Sequence, residues 1–275
     1  MVYMTFNSSC SYAGVANMLA QYHMTVDDRI IAIGMKLPYL FTYENGIYMA
    51  GPMLQNADWF NLFLNSIGFH MVETAVSADQ VTNYLKREKT AMLGIKSEHT
   101  GKHAVVYIGS KNGRLLFLNN KWEQDPVQEQ ITFTEAELLK QIEPTTIIAT
   151  LKQITPRNVD FSGKLEDSIS VIRRNLSEIQ AVCSNEETVG VLRSKLNTLF
   201  RPLLLDGITM LGLLGEAQLA RQFTEIQRSF LDALRQDAAA VITLGDYLPV
   251  KELSDASERY IQLIMKELSN IKRDR

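Results

Sequence analysis

The sequence is poor in the residues that mark several large function classes. It holds 2 cysteines, Cys10 and Cys183, in 275 residues, too few and too far apart for a disulfide framework, so a reducing cytoplasm is the expected setting. No Cys/His spacing resembles a zinc site, and neither a metal nor a cofactor is expected. The 28 basic and 31 acidic residues leave a net charge of -3 with no polybasic run. That balance argues against nucleic acid or an anionic membrane surface as a partner. The longest apolar stretch, residues 203 to 215, contains Asp206 and falls short of the roughly 20 residues a membrane-spanning helix needs. The opening Met1-Val2-Tyr3-Met4-Thr5-Phe6 lacks the basic start and apolar run of a secretory signal. What is present is 46% apolar residues, enough to fill the core of one large or two ordinary domains.

Within that chain one cysteine is placed for chemistry. In Asn7-Ser8-Ser9-Cys10-Ser11-Tyr12-Ala13-Gly14-Val15-Ala16-Asn17-Met18-Leu19 the thiol follows small cap-type residues and precedes an apolar helical pattern in which Val15, Met18, Leu19 and Tyr22 recur. A thiol at a helix N-terminus meets unpaired N–H groups and the positive end of the helix dipole, which favour the thiolate. Alone, a cysteine beside alanine and valine is more often packing material.

A second stretch changes the balance. Gly101-Lys102-His103-Ala104-Val105-Val106-Tyr107-Ile108-Gly109 reads as a strand, Asn112-Gly113 as a tight turn, and Arg114-Leu115-Leu116-Phe117-Leu118-Asn119 as the returning strand. In an antiparallel hairpin the start of one strand lies beside the end of the other, so His103 and Asn119 are expected to be neighbours. A histidine oriented by an amide is the base a thiol nucleophile needs: the imidazole takes the Cys10 proton while Asn119 accepts from the other ring nitrogen. Asp125, in the following loop, is the rival for the third position.

Other stretches fill in the first domain. Gly34 to Pro52 is aromatic and glycine-rich, with Asn45-Gly46 as a hairpin turn. Tyr39, Phe41 and Tyr43 there, with Tyr12, are candidates to line an acyl-binding groove; a plain hairpin over the core fits that segment equally well. Asp58 to Ile67 and Asp79 to Arg87 read as helices, Ala91 to Ile95 and Thr145 to Leu151 as strands, and Thr155-Pro156-Arg157-Asn158 as a boundary.

The Cys10 helix, the Gly101 to Tyr107 strand with His103, and a strand ending in Asn119 together resemble the papain-like cysteine peptidase superfamily, in particular its C39-like group. The segment Cys10 to Leu19, with Asn17-Met18-Leu19 at its end, together with the aromatic segment that follows it, also resembles the BtrH-type acyltransferases of butirosin biosynthesis. The amide-forming cysteine-protease homologues of closthioamide-type assembly lines are a further resemblance. The likeness covers roughly residues 5 to 150. It implies a Cys10, His103, Asn119 triad, with asparagine where the C39-like group has aspartate. The family's oxyanion glutamine is absent, and Asn7 or the Cys10 backbone N–H is expected to stabilise the oxyanion instead.

After residue 155 the pattern becomes helical: Leu165, Ile169, Ile172, Leu176 and Ile179, then Phe223, Ile226 and Phe230, then Tyr260, Ile261, Ile264 and Leu268. Asp206, Glu216, Glu225 and Asp246 are scattered acids expected to face solvent. The expectation is an α+β protein: a papain-like domain, residues 1–155, of helix plus antiparallel sheet, followed by an all-α helical bundle, residues 156–275. The bundle would cover one side of the site, form a homodimer or dock a partner. Two activities compete. One is transfer of an acyl group from a thioester, carried on an acyl carrier protein or a small thiol, to a small amine; the other is peptide-bond hydrolysis. Both use the same three residues.

Overall fold

The computed structural model describes residues 1–5, 10–97 and 101–273. In chain order they form helices α1 (Cys10–Ala20) and α2 (Asp28–Gly34), hairpin strands β1 (Phe41–Glu44) and β2 (Ile47–Ala50), and α3 (Ala57–Leu64). Next come β3 (Phe69–Ser77), α4 (Ala78–Leu85), β4 (Ala91–Ser97), β5 (Gly101–Lys111), β6 (Arg114–Asn119), β7 (Gln130–Phe133), α5 (Glu135–Gln141) and β8 (Thr145–Gln153). The chain continues with α6 (Ser162–Cys183), β9 (Glu186–Thr188), α7 (Val189–Ser194), two π-helical turns (Leu196–Phe200 and Pro202–Asp206), α8 (Gly207–Leu213), α9 (Ala217–Ala233), β10 (Val241–Thr243) and α10 (Val250–Arg273). The protein is α+β.

Two compact units divide the chain: Met1–Met35 with Gln55–Val159, and Lys36–Leu54 with Asp160–Arg275. The first is built on a 6-stranded sheet in the order β3-β8-β4-β5-β6-β7, with every pairing antiparallel. Asn112 and Gly113 both have positive φ, 51° and 74°, the geometry an Asn-Gly turn needs to match the twist of β5 and β6. Val81 and Leu85 of α4 and Leu138 of α5 join Leu93, Val105, Tyr107 and Phe117 in one apolar cluster.

The helical spacing of Val15, Met18, Leu19 and Tyr22 predicts a single buried face for α1. Instead the run from Tyr12 to Leu19 is buried throughout, because small residues let it lie close to the sheet. A Cβ on Gly14 would come within 2.4 Å of Met92 Sδ and 2.9 Å of Asn120 Nδ2. Buried Asp28 ties the N-terminal segment down, accepting from the Thr5 N–H at 2.7 Å and from its hydroxyl.

The second unit departs from the sequence expectation in two respects. It contains strand pairs, β1–β2 and β9–β10, beside its helices. It also takes residues 36–54, which the sequence reading put in the first domain. The reason is local: the Ser168 hydroxyl of α6 accepts from Phe41 N–H at 2.9 Å and lies 3.3 Å from the Phe41 carbonyl oxygen, so α6 completes the edge of β1. The Tyr260 hydroxyl of α10 donates to Pro38 O at 2.8 Å, and the Phe41 ring meets Tyr260 edge to face at 5.3 Å.

Candidate active site

Cys10 is the first residue of α1 and is half-buried. Opposite it, the β5–β6 register pairs Val105 with Asn119. Residues two apart on a strand share a face, so His103 lies diagonal to Asn119 on that face. The consequence is a 2.6 Å hydrogen bond between His103 Nε2 and Asn119 Oδ1. Asn119 is itself fixed, donating its Nδ2 to Gln128 O at 3.0 Å and its backbone N–H to Glu129 O at 2.8 Å. With Nε2 engaged by Asn119, Nδ1 is the ring nitrogen left for the thiol.

The end of β6 makes room for the sulfur. Continuing the register past Val105 and Asn119 would place residue 120 opposite Ala104, but β6 stops at Asn119. The two backbone groups of Ala104 find other partners. Its N–H donates to Cys10 Sγ at 3.1 Å, and its carbonyl accepts from the side-chain Nδ2 of Asn120 at 2.9 Å. The thiol therefore occupies a place in the sheet ladder where a strand carbonyl would otherwise sit.

These contacts set opposite shifts on the two titrating groups. Burial alone raises the Cys10 thiol, but hydrogen bonds from His103 and from the Ala104 N–H, with the imidazole charge, outweigh it and hold the thiol below its ordinary value. For His103, burial lowers the imidazole, while the hydrogen bond and charge of Cys10 and the hydrogen bond to Asn119 outweigh it and leave it raised. Each group stabilises the other's charged form, as a thiolate–imidazolium pair requires. Cys183, by contrast, is buried, and that burial pushes its thiol up to about 11.

The structure thus brings Cys10, His103 and Asn119 together. Asn7 lies outside the described residues. Asp125 is not a partner of this histidine: its carboxylate accepts from the Trp122 N–H at 3.0 Å and closes its own turn. The proposed groove aromatics fare differently. Tyr12 is fully buried against the Phe60 ring at 4.9 Å, so it is core rather than ligand surface. Phe41 is buried on Tyr260 in the second unit. Tyr43 stacks at 4.5 Å on Tyr48 and carries the Arg174 guanidinium 4.0 Å above its ring, while Tyr39 is half-buried, its phenol pushed up to about 12 by burial and by Glu267 and Glu216. All three belong to the second unit because residues 36–54 do. Glu216, Glu225 and Asp246 are exposed as expected, but Asp206 is buried and paired with Arg201 at 2.9 Å. Among the described residues no group of three His, Cys, Asp or Glu side chains is placed to hold a metal ion, and no helix is long and apolar enough to cross a membrane.

Two asparagines that the sequence reading gave no role, Asn17 and Asn120, sit directly behind the site. The available signal was polarity in an apolar run, since Asn17 interrupts Val15-Ala16 and Met18-Leu19.

No protein family matches the sequence, and no curated protein does. Among solved structures, the chain is similar to the peptidase domain of Streptococcus ComA, a bi-functional ABC transporter involved in a quorum-sensing pathway, at 13% identity and a TM-score of 0.40, covering 54% of this chain and 96% of that one.

Proposed function

We propose that this protein is a cysteine-nucleophile acyl-transfer enzyme of the papain-like type, with Cys10 as nucleophile, His103 as proton carrier and Asn119 as the group that orients the imidazole. The observation that carries the reading is the lowered Cys10 thiol held by a histidine whose other nitrogen sits 2.6 Å from Asn119 Oδ1. Such a pair favours the nucleophilic thiolate over the thiol.

The chemistry follows from those roles. The Cys10 thiolate attacks the acyl carbon, and a tetrahedral oxyanion forms. As it collapses, the bond to the donor's leaving group breaks, and the leaving group takes the proton held on His103. The acyl group is then a thioester on Cys10. An incoming nucleophile gives its proton back to His103 as it attacks, the Cys10 Sγ–acyl bond breaks, and the thiolate–imidazolium pair is restored. The Cys10 backbone N–H, at the start of α1, is suited to the oxyanion.

Within this class we take the donor to be a thioester, on a carrier protein or a small thiol, and the acceptor to be a small amine. The support is the likeness of the Cys10 to Leu19 segment to the BtrH-type acyltransferases. Peptide hydrolysis uses the same nucleophile and base and differs in the donor bond and in water as the acceptor. Intact-mass spectrometry separates them. The full chain and Cys10→Ala are incubated with acyl N-acetylcysteamine thioesters, then with and without amines. An adduct on the wild type alone, discharged faster by an amine than by buffer, is the expected result. Discharge at one rate with or without amine would favour the hydrolase, and no adduct across short, long and aromatic acyl groups would overturn acyl transfer.

A further inference from the structure

The strand rung at Ala104 is completed by side chains that lead away from the thiol into the core. Asn120, 1% exposed, donates Nδ2 to Ala104 O at 2.9 Å, and its Oδ1 accepts from Asn17 Nδ2 at 3.0 Å. Asn17, 0% exposed, also accepts from the Val2 N–H at 2.6 Å and donates to Val2 O at 2.9 Å. The polarity of this relay is forced from both ends. The Val2 N–H needs an oxygen, which turns the Asn17 amide nitrogen toward Asn120; the Ala104 carbonyl needs a donor, which turns the Asn120 nitrogen toward β5. Gly14 leaves the space, since a Cβ there would stand 2.9 Å from Asn120 Nδ2.

We propose that Asn120, held by Asn17, is a positioning residue: by fixing the Ala104 carbonyl at the open end of the β5–β6 ladder it holds the Ala104 N–H on Cys10 Sγ and so favours the thiolate. The inference builds on the reading of Cys10 as nucleophile. The logic is that of backbone geometry. Residue 104 has no strand partner on that side, so without the Asn120 amide its carbonyl is left to find another donor, and its peptide planes tilt as far as the pairing with Gly94 of β4 on the other side allows. The hydrogen bond most exposed to that tilt is the one to the sulfur, because Ala104 N–H and C=O share one residue's dihedrals. Asn120 touches neither the thiol nor a substrate among the described contacts, and acts through Ala104 alone. His103 is the titratable group acting on the thiol besides this N–H.

The test is the pH dependence of Cys10 alkylation by iodoacetamide in the full chain, with the label located by peptide mass so that Cys183 does not contribute. Asn120→Ala is expected to raise the midpoint by about half to one unit, slowing alkylation about three- to tenfold at pH values well below the wild-type midpoint, with the limiting rate at high pH unchanged. Asn17→Ala keeps the Asn120–Ala104 bond but frees the far end of the amide, and is expected to shift the midpoint the same way by less; alanine also suits a helix interior, which keeps the test alive if Asn120→Ala does not fold. The control is Asn61→Ala. Asn61 is a buried amide of the same unit that clamps the Met71 backbone, accepting at 2.7 Å and donating at 2.9 Å, and its loss should lower the melting temperature without moving the midpoint. A midpoint unchanged in the folded Asn120 or Asn17 variant, or moved equally by Asn61→Ala, overturns the proposal. Alkylation needs no acyl donor, so the outcomes stay separate: an ordinary thiol midpoint in the wild type would defeat the reading of Cys10 itself, whereas a low midpoint indifferent to Asn120 defeats only this inference.

Discussion

At the scale of single residues, the site is a pair of groups whose charges depend on each other. The Cys10 thiol is lowered and the His103 imidazole raised, so the reactive pair needs a pH above the first and below the second. Acyl transfer should therefore follow a bell. Its acid limb lies below the ordinary thiol value of about 8.5, and its alkaline limb above the ordinary imidazole value of about 6.5, both belonging to the coupled pair rather than to either residue. His103→Ala removes the base and leaves burial as the largest influence on the thiol. The expectation is a loss of about 10² to 10⁴ in acyl-transfer rate, with the alkylation midpoint of Cys10 moved up to or beyond about 8.5. A midpoint unchanged in that variant would show that backbone donors, the Ala104 N–H and the helix terminus, set the thiol without the histidine.

At the scale of elements, strand endings and helix faces decide what is free to react. Strand β6 ends one residue before it would cover Ala104, and that vacancy in the ladder admits the sulfur. The hairpin β1–β2 shows the opposite case, a strand edge closed by a side chain. The Ser168 hydroxyl accepts from the N–H of buried Phe41 at 2.9 Å while its one proton lies 2.7 Å from Lys164 O and 3.3 Å from Phe41 O, so Ser168→Ala strands the buried Phe41 N–H. It should cost about 1–3 kcal/mol in urea unfolding, with Cys10 alkylation untouched because Ser168 and the site lie in different units. A cost under about 0.5 kcal/mol would mean the hairpin edge is satisfied elsewhere.

At the scale of the whole molecule, the two units are interleaved in sequence, since Lys36–Leu54 folds with Asp160–Arg275. A single cut at 159 therefore does not separate them. It leaves residues 36–54 in the first piece without α6 and α10, exposing Phe41 and Tyr48, which are otherwise buried. Residues 1–159 expressed alone are expected to aggregate or self-associate on size exclusion, while the full chain does not. A monomeric fragment with the wild-type Cys10 alkylation profile would show that the hairpin needs no partner.

The amino-acid order by itself determined the local pieces. The Asn-Gly turns, the strand pair around Asn112-Gly113, the helix behind Cys10 and the helical periodicity after residue 160 depend on backbone preference and on patterning within a few residues. Because the hairpin brings the start of β5 beside the end of β6, His103 and Asn119 were legible as close in space; that they share a face depends on a bulge between Tyr107 and Gly109, which shifts the register set by the turn by one residue. Tertiary structure decided the rest. Contacts between residues far apart in the chain cannot be read from period or turn chemistry: Ser168 capturing Phe41, Tyr12 sinking against Phe60, and Asp206 pairing with Arg201 in the interior. The Asn17–Asn120 relay is of the same kind, joining two polar side chains 103 positions apart. Each looks ordinary or misplaced in the sequence, and has a partner only once packing has excluded water and every buried donor and acceptor must be met by another part of the chain.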